Sequence, residues 1–133
     1  MKKQGILNSR LSYLITRMGH TDKLVICDCG LPIPRTAEVV DLALTKNIPS
    51  FLEVLKAVLN ELGVEEVIIA AEMESASKTM YRQTQALLAD IPIRKVAHEQ
   101  FKELTRCQDP IAFVRTGEAT SFANIILVSG VHF

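Results

Sequence analysis

Apolar residues at 11, 14, 15 and 18 recur at i, i+3, i+4 and i+7, one face of a helix, and predict an amphipathic helix over residues 9–18. Asn8 or Ser9 can cap its start, and Gly19 is placed to end it. The run Lys23-Leu24-Val25-Ile26-Cys27 then changes to a short continuous apolar stretch of strand type. It stops at Asp28, because the prolines of Gly30-Leu31-Pro32-Ile33-Pro34 lack the amide donors a ladder needs. Residues 39–44 form a second, weaker strand candidate. Helical spacing returns after Pro49, where Ser50 and Glu53 stand at capping-box separation. Leu52, Leu55, Val58, Leu59 and Leu62 make the apolar stripe of that helix, and Gly63 closes it.

The run 67–71 is apolar without alternation, as expected of a strand buried on both faces, and Glu72 and Glu74 mark its end. A more polar helix is predicted over 77–89, a strand over 93–97 after Pro92, and a helix start at His98. Strands over 111–115 and 125–129, separated by a loop over 116–123, complete the chain. Strands alternating with helices predict an α/β layered fold, a largely parallel central sheet flanked by helices. A length of 133 residues without repeat, linker or low-complexity stretch predicts one domain, residues 1–133.

Charge narrows the function classes. Fifteen Lys and Arg offset fifteen Asp and Glu, so the surplus of cations that a nucleic-acid backbone requires is missing. No apolar run approaches the roughly 18 residues of a membrane span. No apolar core follows the two lysines of the N-terminal segment, and three cysteines, an odd number, argue against a disulfide framework. A cytoplasmic protein is the expectation. With 48% apolar residues and no net charge to keep copies apart, so small a chain is also expected to bury apolar surface between identical subunits.

Ligands of open α/β sheets bind outside the carboxyl ends of strands, so Asp28, Glu72, His98 and Thr116 are the first candidates, with His20 ahead of the first buried strand. The phosphate-cradling glycine motifs, the nucleophile elbow and the helical zinc-protease motif are all missing. Cys27 and Cys29 are spaced too closely for a structural zinc knuckle and read as inert thiols. His20 reads either as a cation at a helix C-terminus or as a general acid/base. His98 reads as a helix cap or as a catalytic group. Asp28 is either a turn former or an acceptor for the hydroxyls of a diol, and the amide of Asn124 suits sugar hydroxyls as well as a loop end. Lys102 reads as a solvated charge, Phe51, Phe101 and Phe113 as core. Glu72 and Glu74, two apart on a strand, would face opposite ways and form no dyad.

Taken together, Gly19-His20-Thr21-Asp22-Lys23, Asp28-Cys29-Gly30-Leu31-Pro32-Ile33-Pro34, His98-Glu99-Gln100-Phe101-Lys102, Arg115-Thr116-Gly117-Glu118, Phe122-Ala123-Asn124 and Gly130-Val131 resemble the signature of the RbsD/FucU family of sugar mutarotases. The likeness runs through essentially the whole chain. The Gly-Leu-Pro-Ile-Pro and His-Glu-Gln-Phe-Lys segments favour the ribose branch, the D-ribose pyranases, over the fucose branch. The resemblance implies interconversion of the β-pyranose and β-furanose forms of D-ribose, supplying a kinase that takes the furanose in ribose catabolism. It implies a cytoplasmic protein without cofactor or metal, built as a decamer of two pentameric rings with the sugar site between subunits. By position, His20 would be the acid/base residue; Asp28, His98, Phe122, Ala123 and Asn124 would bind substrate, with Lys102 close by. Two positions depart from the family pattern: Phe122 replaces the usual Tyr, losing a phenol but keeping a ring face, and Cys29 replaces a common Ala. The competing expectations are a mutarotase for fucose or another sugar, a non-catalytic sugar-binding accessory of a transport system, and a nucleotide-binding module.

Overall fold

The computed structural model describes residues 1–107 and 109–133. Helix α1, Ser9–Arg17, starts where the Asn8 side chain accepts the Leu11 amide at 2.9 Å. It ends at Met18 in extended conformation rather than at Gly19. The left-handed residue is Thr21, φ +70°, so the chain reverses two residues later than the glycine suggests. Strand β1, Lys23–Cys27, follows, then the short β2, Val39–Asp41. The expected strand over 39–44 is cut to three residues because the chain turns back on itself through a Thr45–Ile48 bridge, with Asn47 at φ +63°.

Helix α2, Phe51–Leu59, carries a complete capping box between Ser50 and Glu53. Its buried face is Phe51, Val54, Leu55 and Val58; Leu52 and Leu59, expected in the stripe, lie half-buried at its margins. Strand β3, Val64–Ala70, begins three residues earlier than its apolar core. It passes directly into α3, Ala71–Ala76, a helix where the sequence offered only a strand end. Its N-cap is Ala70, which supplies no capping side chain, and it spans under two turns, so neither a cap nor a period announced it. The remaining elements are α4, Lys78–Leu88; β4, Ile93–Val96; α5, His98–Arg106; β5, Pro110–Arg115; and β6, Ile125–Ser129.

The sheet order is β2-β5-β1-β6-β3-β4. Five strands run in one direction, and β6 runs against them between β1 and β3. The expected largely parallel sheet is therefore present, with one reversed strand at its centre. Period-two alternation divides the side chains between two faces. Leu24, Ile26, Val67, Ile69, Ile125 and Leu127 point to one, packed with residues of α1, α2 and α4. Val25, Cys27, Ile68, Ala70 and Ile126 point to the other, where Phe101 of α5 and Leu31 of the loop after β1 cover them. Both faces being covered explains why β1 and β3 lack alternation. Among the described residues no helix is long and apolar enough to cross a membrane.

Candidate functional site

The parallel strands end on one edge of the sheet, and the start of the reversed strand β6 joins them there. Asp28 follows β1, Thr116 to Glu118 follow β5, His98 follows β4, and Phe122 to Asn124 lead into β6. Asp28, His98, Phe122 and Asn124 line a single cavity of about 360 Å³ with Cys29 and Glu118. Asn124 is fully buried. Its Oδ1 accepts the Asp28 amide and its Nδ2 donates to Asp28 Oδ2, both at 2.9 Å. Asp28 Oδ1 also accepts the Gly30 amide at 2.9 Å. The turn-forming reading of Asp28 is seen in its bond to Gly30, and the fixed carboxylate also borders the cavity.

His98 is the first residue of α5. It does not cap that helix with its ring; instead Glu72, from the first turn of α3, accepts the His98 amide at 2.8 Å. The imidazole packs nearly perpendicular to the Phe122 ring, 5.0 Å between centroids, and its Nδ1 is buried without a hydrogen-bond partner. Phe122 has φ +64°, a left-handed conformation a bulky residue adopts at a cost and which tends to mark functional sites. The Asn124 amide reaches back to the Phe122 carbonyl at 2.8 Å, which holds the bend. Ala123 is wholly buried with its methyl in the core, so it shapes the backbone here rather than lining the cavity. Lys102 lies one turn beyond His98 on α5, outside the cavity wall, paired with Glu99 at 2.6 Å.

His20 lies at the opposite edge. The turn that carries it is fastened to the far end of β6 by bonds between Thr21 N–H and Ser129 C=O, 2.9 Å, and between Ser129 N–H and Asp22 C=O, 2.8 Å. Strand β1 separates it from Asp28, and five residues at about 3.3 Å each make that roughly 16 Å before the turns are added. One chain therefore cannot bring its own His20 to its own cavity. The imidazole is half-exposed, and its Nε2 lies 2.9 Å from Glu65 Oε2. Thr116, a candidate from its position, is fully buried and spends its hydroxyl on the Cys27 carbonyl at 2.8 Å.

Sequence reasoning passed over Glu118. This buried carboxylate of the cavity wall accepts the Phe51 amide, 3.0 Å, and the Thr120 amide, 3.2 Å, while its carbonyl accepts Cys29 N–H at 2.9 Å. It thereby ties the N-terminus of α2, where a negative charge is favoured, to the loops around the cavity. Its position after a strand was the available signal; that it turns inward onto a helix end was not. Gly117 beside it has no room for a side chain, since a Cβ would collide with the Thr45 and Ile48 carbonyls. Burial, followed by the charge of Asp28, pushes the Cys27 thiol up to about 12, whereas Cys29 is exposed at the cavity. Among the described residues no group of three His, Cys, Asp or Glu side chains is placed to hold a metal ion.

Residues 1–132 match the model of the RbsD / FucU transport protein family. The chain is 53% identical to a D-ribose pyranase of Geobacillus thermodenitrificans over 100% of its own length and 99% of that protein. It is 52% identical to a D-ribose pyranase of Coprothermobacter proteolyticus over the full length of both. Among solved structures it is similar to RbsD of Bacillus subtilis complexed with D-ribose, at 42% identity and a TM-score of 0.94 over the whole of both chains.

Proposed function

Since the chain belongs to the RbsD/FucU family, we propose that it is a D-ribose pyranase, an isomerase that interconverts the six- and five-membered rings of D-ribose. Full-length similarity to proteins of that activity carries the conclusion, and the cavity supports it with a set of groups suited to a small polyol. Pyranose and furanose differ in which hydroxyl closes onto the aldehyde. Conversion therefore takes a proton from the anomeric hydroxyl, returns one to the ring oxygen, lets the open chain rotate, and closes through another hydroxyl. Net transfer of electrons or groups is nil, so the residues need only move protons and hold the sugar. A placed acid/base group accelerates such a step by about 10²–10⁴-fold, enough to matter for a reaction that already proceeds in water.

In this scheme His20 moves the proton. Asp28, held by Asn124, accepts from hydroxyls. The unpaired Nδ1 of His98 offers a further hydrogen-bonding position, and the Phe122 ring offers an apolar face. Lys102 adds a donor near the rim, and Ala123 fixes the backbone between Phe122 and Asn124. Because His20 and the cavity occupy opposite edges of the sheet, a neighbouring copy supplies the imidazole, and the site exists only in the oligomer. Leu7, Tyr13, Leu44, Ile48, Val131 and Phe133 are all more than half exposed on the single chain and provide apolar surface for such contacts. A cytoplasmic decamer of two pentameric rings is the assembly this reading adopts, acting without cofactor.

Exchange spectroscopy by proton NMR on equilibrated D-ribose tests the activity. Catalytic amounts of protein should speed pyranose–furanose exchange well above the spontaneous rate, and more for ribose than for fucose, glucose or galactose. Binding of ribose with unchanged exchange would instead identify a sugar-binding accessory.

A further inference from the structure

The pair between His20 and Glu65 is constructed by two independent irregularities that meet at the end of β6. In β3, Val64 pairs with Ser129 and Glu66 with Val128, so Glu65 is an extra residue with no partner, a β-bulge. Bulges turn a side chain out of the regular alternation and are concentrated beside active sites. Gly130 makes the room: a Cβ there would stand 2.9 Å from the Glu65 Cβ. On the other side, the left-handed Thr21 and its bond to the Ser129 carbonyl present the His20 ring at the same point. The carboxylate of Asp22, the other acid of this turn, is occupied by the Gly19 amide at 2.8 Å. Glu65 is thus the carboxylate that the ring meets, Nε2 to Oε2, 2.9 Å.

We propose that Glu65 is the positioning residue of the acid/base imidazole, fixing the ring and its tautomer so that Nδ1 is the nitrogen that serves the sugar. The inference rests on the ribose pyranase reading given above. An ionised carboxylate only accepts, so Nε2 must carry hydrogen, and the neutral ring then presents Nδ1 as its basic nitrogen. Nδ1 takes the proton of the anomeric hydroxyl as that oxygen's electrons form the carbonyl. The bond from the anomeric carbon to the ring oxygen breaks, its electron pair stays on the ring oxygen, and Nδ1 returns the proton there. Reclosure on a different hydroxyl runs the same steps backwards. Glu65 keeps its hydrogen bond throughout and offsets the positive charge the ring carries between the two transfers. A base oriented by a third group is the general logic of activated proton transfer in enzymes.

The test compares Glu65→Ala, Glu65→Gln and His20→Ala with the native oligomer, measuring exchange at saturating ribose, the ribose concentration at half-saturation, and assembly by sedimentation. Glu65→Ala should lower the saturated rate by about ten- to a hundredfold, with half-saturation and assembly unchanged. Glu65→Gln, which keeps an acceptor for Nε2–H, should recover part of that loss. A native rate in Glu65→Ala beside a slow His20→Ala overturns the role of Glu65 while leaving the function standing. A loss that follows ribose affinity or assembly, or a glutamine variant as slow as alanine, also overturns it. A native protein that does not speed exchange at all removes the function and this inference with it.

Discussion

Under the proposed function the acidic residues divide the labour at the two edges of the sheet. Asp28 borders the cavity with both oxygens held, so under that function it would meet a sugar hydroxyl without first having to be ordered. Asp28→Ala should weaken ribose binding by roughly tenfold to a hundredfold, the range for losing a hydrogen bond to a charged group, as read by calorimetric titration. Native affinity in that variant would remove Asp28 from the site. The cysteines give a second residue-level check. The buried Cys27 thiol, pushed up to about 12, should resist alkylation at neutral pH, while exposed Cys29 and Cys107 react. Because Cys29 lines the cavity, ribose should slow its labelling and leave Cys107 unaffected, which peptide mass mapping would show. Asp28 and His98 were legible as candidates because each stands just past a strand, and Asn124 because its amide closes the loop ahead of one. Glu65 was not, because a bulge leaves no mark in a run such as Val64-Glu65-Glu66-Val67.

At the scale of elements, strands were the most legible, since burial on both faces writes unbroken apolar runs into β1 and β3. The capping box of α2 was equally plain. Hydrogen bonds from the Ser50 backbone and hydroxyl hold the Glu53 carboxyl below its ordinary range. A depressed folded value means this contribution is present above the unfolded value and fades as pH falls through the folded one. Glu53→Gln should therefore lower the melting temperature most near neutrality and progressively less in acid, which flattens the acid side of the curve of melting temperature against pH. An acid limb of unchanged slope would show the box to be irrelevant to stability. What stayed hidden was α3, whose start has no capping side chain, and the inward turn of Glu118 onto α2. Both depend on which elements the fold brings together, not on local pattern.

For the whole molecule, the reversal of β6 matters most. It brings Asn124 to the carboxyl edge of the sheet beside Asp28 and carries Ser129, with the His20 turn on it, to the opposite edge. A chain built this way holds half of the proposed site at each end. Composition predicts association, and the proposed function supplies a reason for it: a proton-moving His20 could reach a cavity only in a second copy. The separation itself was not legible, because spacing along a sequence does not say which end of a sheet a residue occupies until the direction of every strand is known.

The most direct test is complementation between two defective chains. His20→Ala and Asp28→Ala should each form the native assembly and, at a ribose concentration well below half-saturation of the Asp28 variant, each be slow in ribose ring exchange. Unfolded together and reassembled as mixed oligomers, they should regain activity, since random mixing pairs an intact His20 with an intact cavity at roughly a quarter of the contacts. Mixed oligomers, verified by mass, that remain as slow as either variant alone would contradict a site shared between copies.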